Sequence, residues 1–307
     1  MFTIGRNFHV IHMTDDLPAL DAWYDDVFGI QWYVLENYSP ELHRHASLGV
    51  IGQLCIEPMQ PAFEDDRWNR GPIGRYYERS GVSWHSIAWY VDDVEGLTEL
   101  RDGLEAADVE LLALLGGKLE HAADAPEDRP IFTHPNSTVT QLEFMVPHPL
   151  IPDVRMHPAF TPAWWHVTHP LHIRKTSHFT LATRDLERAR DLYVNVIGGT
   201  LLHEGENDLL RTRSSYVATG RDDVVEIAEP LDSGTLIADY VDANHHGLFA
   251  VWLQVDDLAG ATGYLKTKQI TSSLEDGASF LSDPDTTKGV HWGVTTASIP
   301  GDARADW

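Results

Sequence analysis

Ser177-His178-Phe179-Thr180-Leu181-Ala182-Thr183-Arg184-Asp185-Leu186-Glu187-Arg188-Ala189-Arg190-Asp191-Leu192-Tyr193-Val194-Asn195-Val196-Ile197-Gly198-Gly199 reads as a strand, a tight turn, a helix and a stop. The strand alternates, with His178, Thr180 and Ala182 on one face and Phe179 and Leu181 on the other. Asp185 stands at the helix N-cap, Leu186, Ala189, Tyr193, Val196 and Ile197 follow at helical spacing, and Gly198 ends the helix. The same pattern opens the chain: His9, Asp16, Tyr24 and Gly29 lie at a constant offset of 169 from His178, Asp185, Tyr193 and Gly198. Two further strand–helix units start at Trp84 and Leu248, and they match each other at an offset of 164 through Tyr76 and Tyr240 and through Val91 and Val255. The chain therefore holds four units in two pairs, and this repeat governs every other reading.

The length of 307 residues suits two domains, and a hydrophobic content of 43% supplies a core for each. Expected boundaries are 1–146, a Pro- and Trp-rich linker at 147–175, 176–300 and a disordered tail at 301–307. Gly116 to Arg129 reads as a solvated insertion. The linker carries Trp164-Trp165-His166, which reads either as a strap over the seam between domains or as an aromatic lid on the C-terminal half. A net charge of −25 argues against nucleic acid, acidic membranes and polyanionic substrates, and weighs against coenzyme A thioesters. There is no 18-residue apolar run and no basic-then-apolar start, so neither a membrane span nor a secretory signal is expected. One cysteine, Cys55, excludes an intrachain disulfide and fits a reducing, cytoplasmic setting. A small-molecule partner is expected, and the composition is compatible with a homodimer.

A strand with an inward His, an Asp-Leu turn, a helix with an aromatic near its end, Gly, and then three strands resembles the βαβββ module of the vicinal oxygen chelate superfamily. That group includes glyoxalase I, methylmalonyl-CoA epimerase, bleomycin-resistance proteins and type I extradiol dioxygenases. The stretch Gly71-Pro72-Ile73-Gly74-Arg75-Tyr76-Tyr77-Glu78-Arg79-Ser80-Gly81, followed by Trp84-His85-Ser86-Ile87-Ala88, looks most like the epimerase and glyoxalase branch. The resemblance implies an α+β fold: four βαβββ modules paired into two domains, each with a cupped mixed β-sheet. It also implies that inward residues on the first and last strands of each module can hold one divalent metal, namely Fe(II), Zn(II), Mn(II) or Ni(II).

Carried onto this chain, the resemblance points to the C-terminal pair. His178 and Glu226 match the ligand positions, His291 lies within one residue of a third, and His246 stands in for Ala250, which has no donor. Glu226 and His178 are the catalytic candidates, and Trp252, Trp292 and Tyr216 the candidates for contacting an apolar or aromatic substrate. In the N-terminal pair the same reading gives His9, Leu54, Ser86 and Gln141. Leu54 is inert and Ser86 a poor ligand, and strand parity turns His85 and Glu57 away. That half therefore reads as a degenerate structural partner. The implied activity is a metal-dependent lyase or isomerase that chelates two vicinal oxygens and stabilises an enolate. Two alternatives stand beside it: an extradiol ring-cleaving dioxygenase using Fe(II), and a metal-free binding or resistance protein.

Overall fold

The computed structural model describes residues 2–121, 126, 129–147 and 153–306. The expected insertion at 116–129 and linker at 147–175 fall partly outside those residues. Module one comprises β1 (Ile4–Met13), α1 (Leu17–Phe28), β2 (Gln31–Ser39), β3 (Arg44–Ile51) and β4 (Leu54–Pro61). Module two adds α2 (Pro72–Ser80), β5 (Ser83–Val91), α3 (Val94–Ala106), β6 (Leu111–Leu112), β7 (Ile131–Thr133), α4 (Pro135–Thr138) and β8 (Gln141–Met145). A short helix, α5 (Ala163–Val167), lies in the linker. Module three is β9 (Ile173–Ala182), α6 (Leu186–Asn195), β10 (Thr200–Asn207), β11 (Thr212–Thr219) and β12 (Asp223–Pro230). Module four is α7 (Leu236–Asn244), β13 (Gly247–Val255), α8 (Leu258–Thr267), β14 (Ser272–Glu275), β15 (Ser279–Ser282) and β16 (His291–Thr295).

Each pair of modules forms one open eight-stranded sheet. The strand orders are β2-β3-β4-β1-β5-β8-β7-β6 and β10-β11-β12-β9-β13-β16-β15-β14. The two first strands of a pair run antiparallel at the centre, each flanked by the last strand of its own module in parallel. The expected α+β architecture of paired βαβββ modules is what the chain adopts.

The local chemistry repeats as well. Asp16, Asp93, Asp185 and Asp257 each cap the helix that follows a first strand, accepting from backbone N–H groups at Ala19, Gly96, Arg188 and Gly260. Helix α1 ends on Gly29 in the left-handed region at φ 56°, where its N–H donates to Asp25 O. No helix among the described residues is long and apolar enough to cross a membrane.

Helices α1, α3, α6 and α8 cover one face of the sheets, α2 and α7 pack against the other, and the core beneath the first four runs without a break from one domain into the other. Val10, Ile56, Ile87 and Trp89 belong to it with Phe179, Val225, Val251 and Leu253. At the seam, Trp292 stands 4.7 Å from Phe28 and 5.3 Å from Trp84 between ring centroids. Trp89 Nε1 donates to Asp223 across the boundary, and the Tyr193 hydroxyl donates to Thr138 O. The linker acts as a strap: Trp165 is buried and its Nε1 donates to Phe28 O.

The segment expected to be a disordered tail is instead an ordered clip. Arg304 donates to Ser177 O and Asp222 O and is held by Asp302. In the linker Arg155 donates to Phe8 O and Gln53 O and is held by Asp153. The carbonyls are related by the offset of 169, so the strap at 153–157 and the C-terminal residues are equivalent parts of the two domains.

Candidate functional site

The concave faces of the two sheets differ in one respect that decides which can receive a ligand. In the C-terminal cup His178 Nε2 lies 3.3 Å from Glu226 Oε2. Glu226 is fully buried and already receives hydrogen bonds from Thr180 Oγ1 (2.6 Å), Asn207 Nδ2 (2.8 Å), Ser214 Oγ (2.9 Å) and the Tyr216 hydroxyl (2.8 Å). Burial alone would raise its pKa. His178 and these donors outweigh that and hold it down at about 2.

Trp252 closes the cup. Its ring stacks 5.3 Å from His178 at an interplanar angle of 13°, and its Nε1 donates to Thr180 Oγ1. It lies directly over Gly293, where a Cβ would come within 2.0 Å of the indole. Leu210, Ile237, Val241, Phe249 and Leu281 fill the rest of that cup.

The expected C-terminal ligand set is therefore only half assembled. His178 and Glu226 meet, but His246 and His291 do not join them as a ligand group. His246 precedes β13, six residues from the level of Trp252, roughly 20 Å along a strand, and faces His245, His134 and Arg188. The His291 ring packs 4.5 Å from Phe249, and its Nδ1 lies 2.7 Å from Ser282 O. The expected substrate contacts are also reassigned. Trp292 belongs to the seam between domains, Tyr216 is bonded to Glu226, and Trp252 is the plug.

The N-terminal cup is open. A cavity of about 390 Å³ reaches its floor, lined by apolar side chains such as Phe8, Ile11, Leu48 and Phe132, with His9, Arg44, Glu57, His85, Gln141 and Glu143 among them. His9, on β1, is the centre of the polar group. Its Nδ1 lies 3.0 Å from Glu57 and its Nε2 3.3 Å from Glu143. Both nitrogens are buried, and neither makes an aligned hydrogen bond at those separations. Burial works against the imidazolium, yet the two carboxylates outweigh it and hold the His9 pKa up at about 9. Burial would raise Glu57 too, but His9 and then Arg44 draw it below the usual carboxylate range. His85 is pushed down to about 3 by burial and stays neutral, with Nδ1 2.9 Å from Ser86 Oγ.

His85 faces the cavity because of a β-bulge. The β1–β5 register slips between Val10↔Ile87 and His12↔Trp84, so two residues of β5 oppose one of β1, and the parity that would turn His85 away is reset. The same slip occurs 164 residues later, where Phe249 takes the place of His85. Glu57 is equally readable in retrospect. Glu226 pairs with Thr180 and Glu57 with Ile11, and both relations carry the offset of 169. The offset itself identifies Glu57 as the counterpart of Glu226, in place of Leu54. By register, Ala88 and Glu143 correspond to Trp252 and Gly293. A small residue and a carboxylate keep the N-terminal cup open and polar, whereas a tryptophan over a glycine fills the other.

The fold's metal can be tested against these donors. Among the described residues no three His, Cys, Asp or Glu side chains are gathered around one point as a ligand set. His9 Nε2 and Glu143 are one pair of donors that could share an ion. Their 3.3 Å separation approaches the roughly 3.0 Å between adjacent ligands of an ion bound at about 2.1 Å. Glu57 on the opposite ring nitrogen matches the outer carboxylate that orients a metal-binding imidazole. His85, neutral, and Gln141 line the same cavity and bring the donor types that complete such a set. Both cups hold a buried imidazole nitrogen without an aligned hydrogen bond, His9 in one and His178 in the other, but only the N-terminal cup adds further donor types, His85, Gln141 and Glu143, on an open cavity.

Residues 175–289 match the family described as the Glyoxalase/Bleomycin resistance protein/Dioxygenase superfamily. No curated protein matches the chain in sequence. Among solved structures, a mutant 4-hydroxymandelate synthase from Streptomyces coelicolor superposes with a TM-score of 0.65 at 12% identity, covering 96% of this chain and 94% of that one. The 2,3-dioxygenase LapB from Pseudomonas sp. KL28 gives 0.57 at 11% identity, covering 97% and 94%. The Mn(II)-bound glyoxalase from Novosphingobium aromaticivorans gives 0.56 at 13% identity, covering 99% and 86%. At such identities these likenesses speak for the fold alone. Residues 175–289 thus match that superfamily in sequence, and the whole chain shares the two-domain fold of these structures.

Proposed function

We propose that the protein is a metal-dependent enzyme whose working site is the N-terminal cup, with the C-terminal cup kept as a packed support. The observation that carries this reading is His9, buried at the floor of an open cavity with one ring nitrogen beside Glu143 and the other beside Glu57. His9 and Glu143 would hold the ion, with His85 or Gln141 as the further donor and Glu57 fixing the imidazole. Such an ion would supply Lewis acidity toward two vicinal oxygens of a small, mainly apolar substrate.

The chain's own groups supply the rest. The apolar walls exclude water and orient the substrate body. Glu57 is the candidate base: unlike Glu226 it is not saturated by hydroxyl donors, because Ala46 and Leu48 stand on the wall where Ser214 and Tyr216 face Glu226. A carboxylate placed to take a proton from a substrate carbon suits a lyase or isomerase. A second reading, an Fe(II) oxygenase, is favoured by one observation: His9, His85 and Glu143 are two imidazoles and one carboxylate in a single cavity, the donor types of a non-haem iron site.

Elemental analysis of the purified protein tests the proposal. One divalent ion per chain is expected, lost in His9→Ala and in Glu143→Ala and retained in His178→Ala. Retention in His9→Ala with loss in His178→Ala would move the site to the other domain. Iron accompanied by catechol-dependent oxygen uptake would select the oxygenase.

A further inference from the structure

Arg44 is the one lysine or arginine on the described lining of the N-terminal cavity, in a protein whose net charge is −25. It sits on β3 on the same face as Ala46 and Leu48, above the floor that carries Glu57. Its ion pair with Glu57 is long, Nη2 to Oε1 at 3.4 Å. Its Nε is buried and has no hydrogen-bond partner. A buried guanidinium donor without a partner costs free energy in the empty cup, and a ligand oxygen is what removes that cost. A guanidinium fork matches a carboxylate in shape as well as in charge.

We propose that Arg44 is the specificity residue of the cup and receives the carboxylate of a small monocarboxylic acid whose apolar or aromatic body lies against Phe8, Leu48 and Phe132. This rests on the N-terminal cup being the working site, and it names the class of substrate. The acid's carboxylate pairs with the Arg44 guanidinium, while Glu57 stays between Arg44 and His9.

The test is calorimetric titration of the full chain with phenylacetate, 3-phenylpropanoate and 4-methylpentanoate, each beside its primary amide, in metal-stripped protein and again with Mn(II) added. At least one acid is expected to bind about tenfold or more tightly than its amide. Arg44→Gln is expected to abolish that preference, and Arg44→Lys to keep part of it. Equal affinity for acid and amide in the native protein, a preference surviving in Arg44→Gln, or no binding by any of the acids would overturn the proposal. Should Arg44→Gln fail to fold, the native acid–amide comparison and Arg44→Lys still decide. Mn(II) uptake is measured in the same series without acid. Failure to take up the ion with the acid preference intact counts against the metal-dependent reading alone, and the converse counts against this inference alone.

Discussion

Glu57 and Glu226 occupy equivalent places on equivalent strands, and their neighbours give them different work. Glu226 is locked by Thr180, Asn207, Ser214, Tyr216 and His178, so its carboxylate stabilises the fold. Its folded pKa of about 2 lies below the ordinary 4.5. The sign follows: a depressed carboxylate contributes stability above its unfolded pKa, and the contribution is lost as pH falls from about 4.5 toward 2. The shift corresponds to something on the order of 3 kcal/mol. Glu226→Gln is expected to be less stable than the native protein at neutral pH, with the gap narrowing on acidification through that window. Urea unfolding at a series of pH values measures it, and a gap constant from pH 6 to pH 2.5 would contradict the account. Glu57, by contrast, has only His9 and Arg44 as ion-pair partners among the described residues, and it faces an open cavity.

The two Asp-x-Arg clips fasten each sheet to the segment that follows it. Arg155 is buried with Asp153 and bonds two carbonyls of the first domain, while Arg304 does the same for the second. Lys175 also donates to Arg304 O, as Arg6 does to Arg155 O. Arg155→Ala is expected to cost about 3–5 kcal/mol, since it leaves Asp153 buried and unpaired. Arg304→Ala, nearer to solvent, should cost about 1.5–3 kcal/mol. Denaturant midpoints measure both, and a neutral Arg304→Ala would return the C-terminal residues to the status of a loose end. Neither clip is conspicuous in sequence, because each is three residues long and its carbonyl partners lie more than 80 positions away. The βαβββ modules were legible because Asp caps, helical stripes and alternating strands are local signals. The polar floor of the N-terminal cup was not. His85 depends on a bulge that only the β1–β5 pairing creates, and the plug depends on Trp252 finding Gly293 on a neighbouring strand.

At the scale of the whole chain, duplication has produced two cups of which one has become core. The plug of Trp252, Phe249 and Leu281 turns the second cup's interior into buried apolar surface, and the convex faces share one continuous core across the seam. Phe28 ends the first helix of module one yet packs on Trp292 from module four, with Trp165 of the strap bonded to its carbonyl. The Tyr264 hydroxyl of α8 donates to Val27 O beside it. Removing the ring therefore strips packing contacts with Trp23 and Tyr24 on one side of the seam and Trp292 on the other, while the backbone carbonyls keep their partners. Phe28→Ala is expected to cost about 3–5 kcal/mol and to lower one shared transition, since neither sheet keeps its seam when the other unfolds. Calorimetry, far-ultraviolet dichroism and tryptophan fluorescence should give coincident midpoints in the native protein and in the variant. A variant in which a first transition splits away while the second stays at the native temperature would show that the domains fold independently.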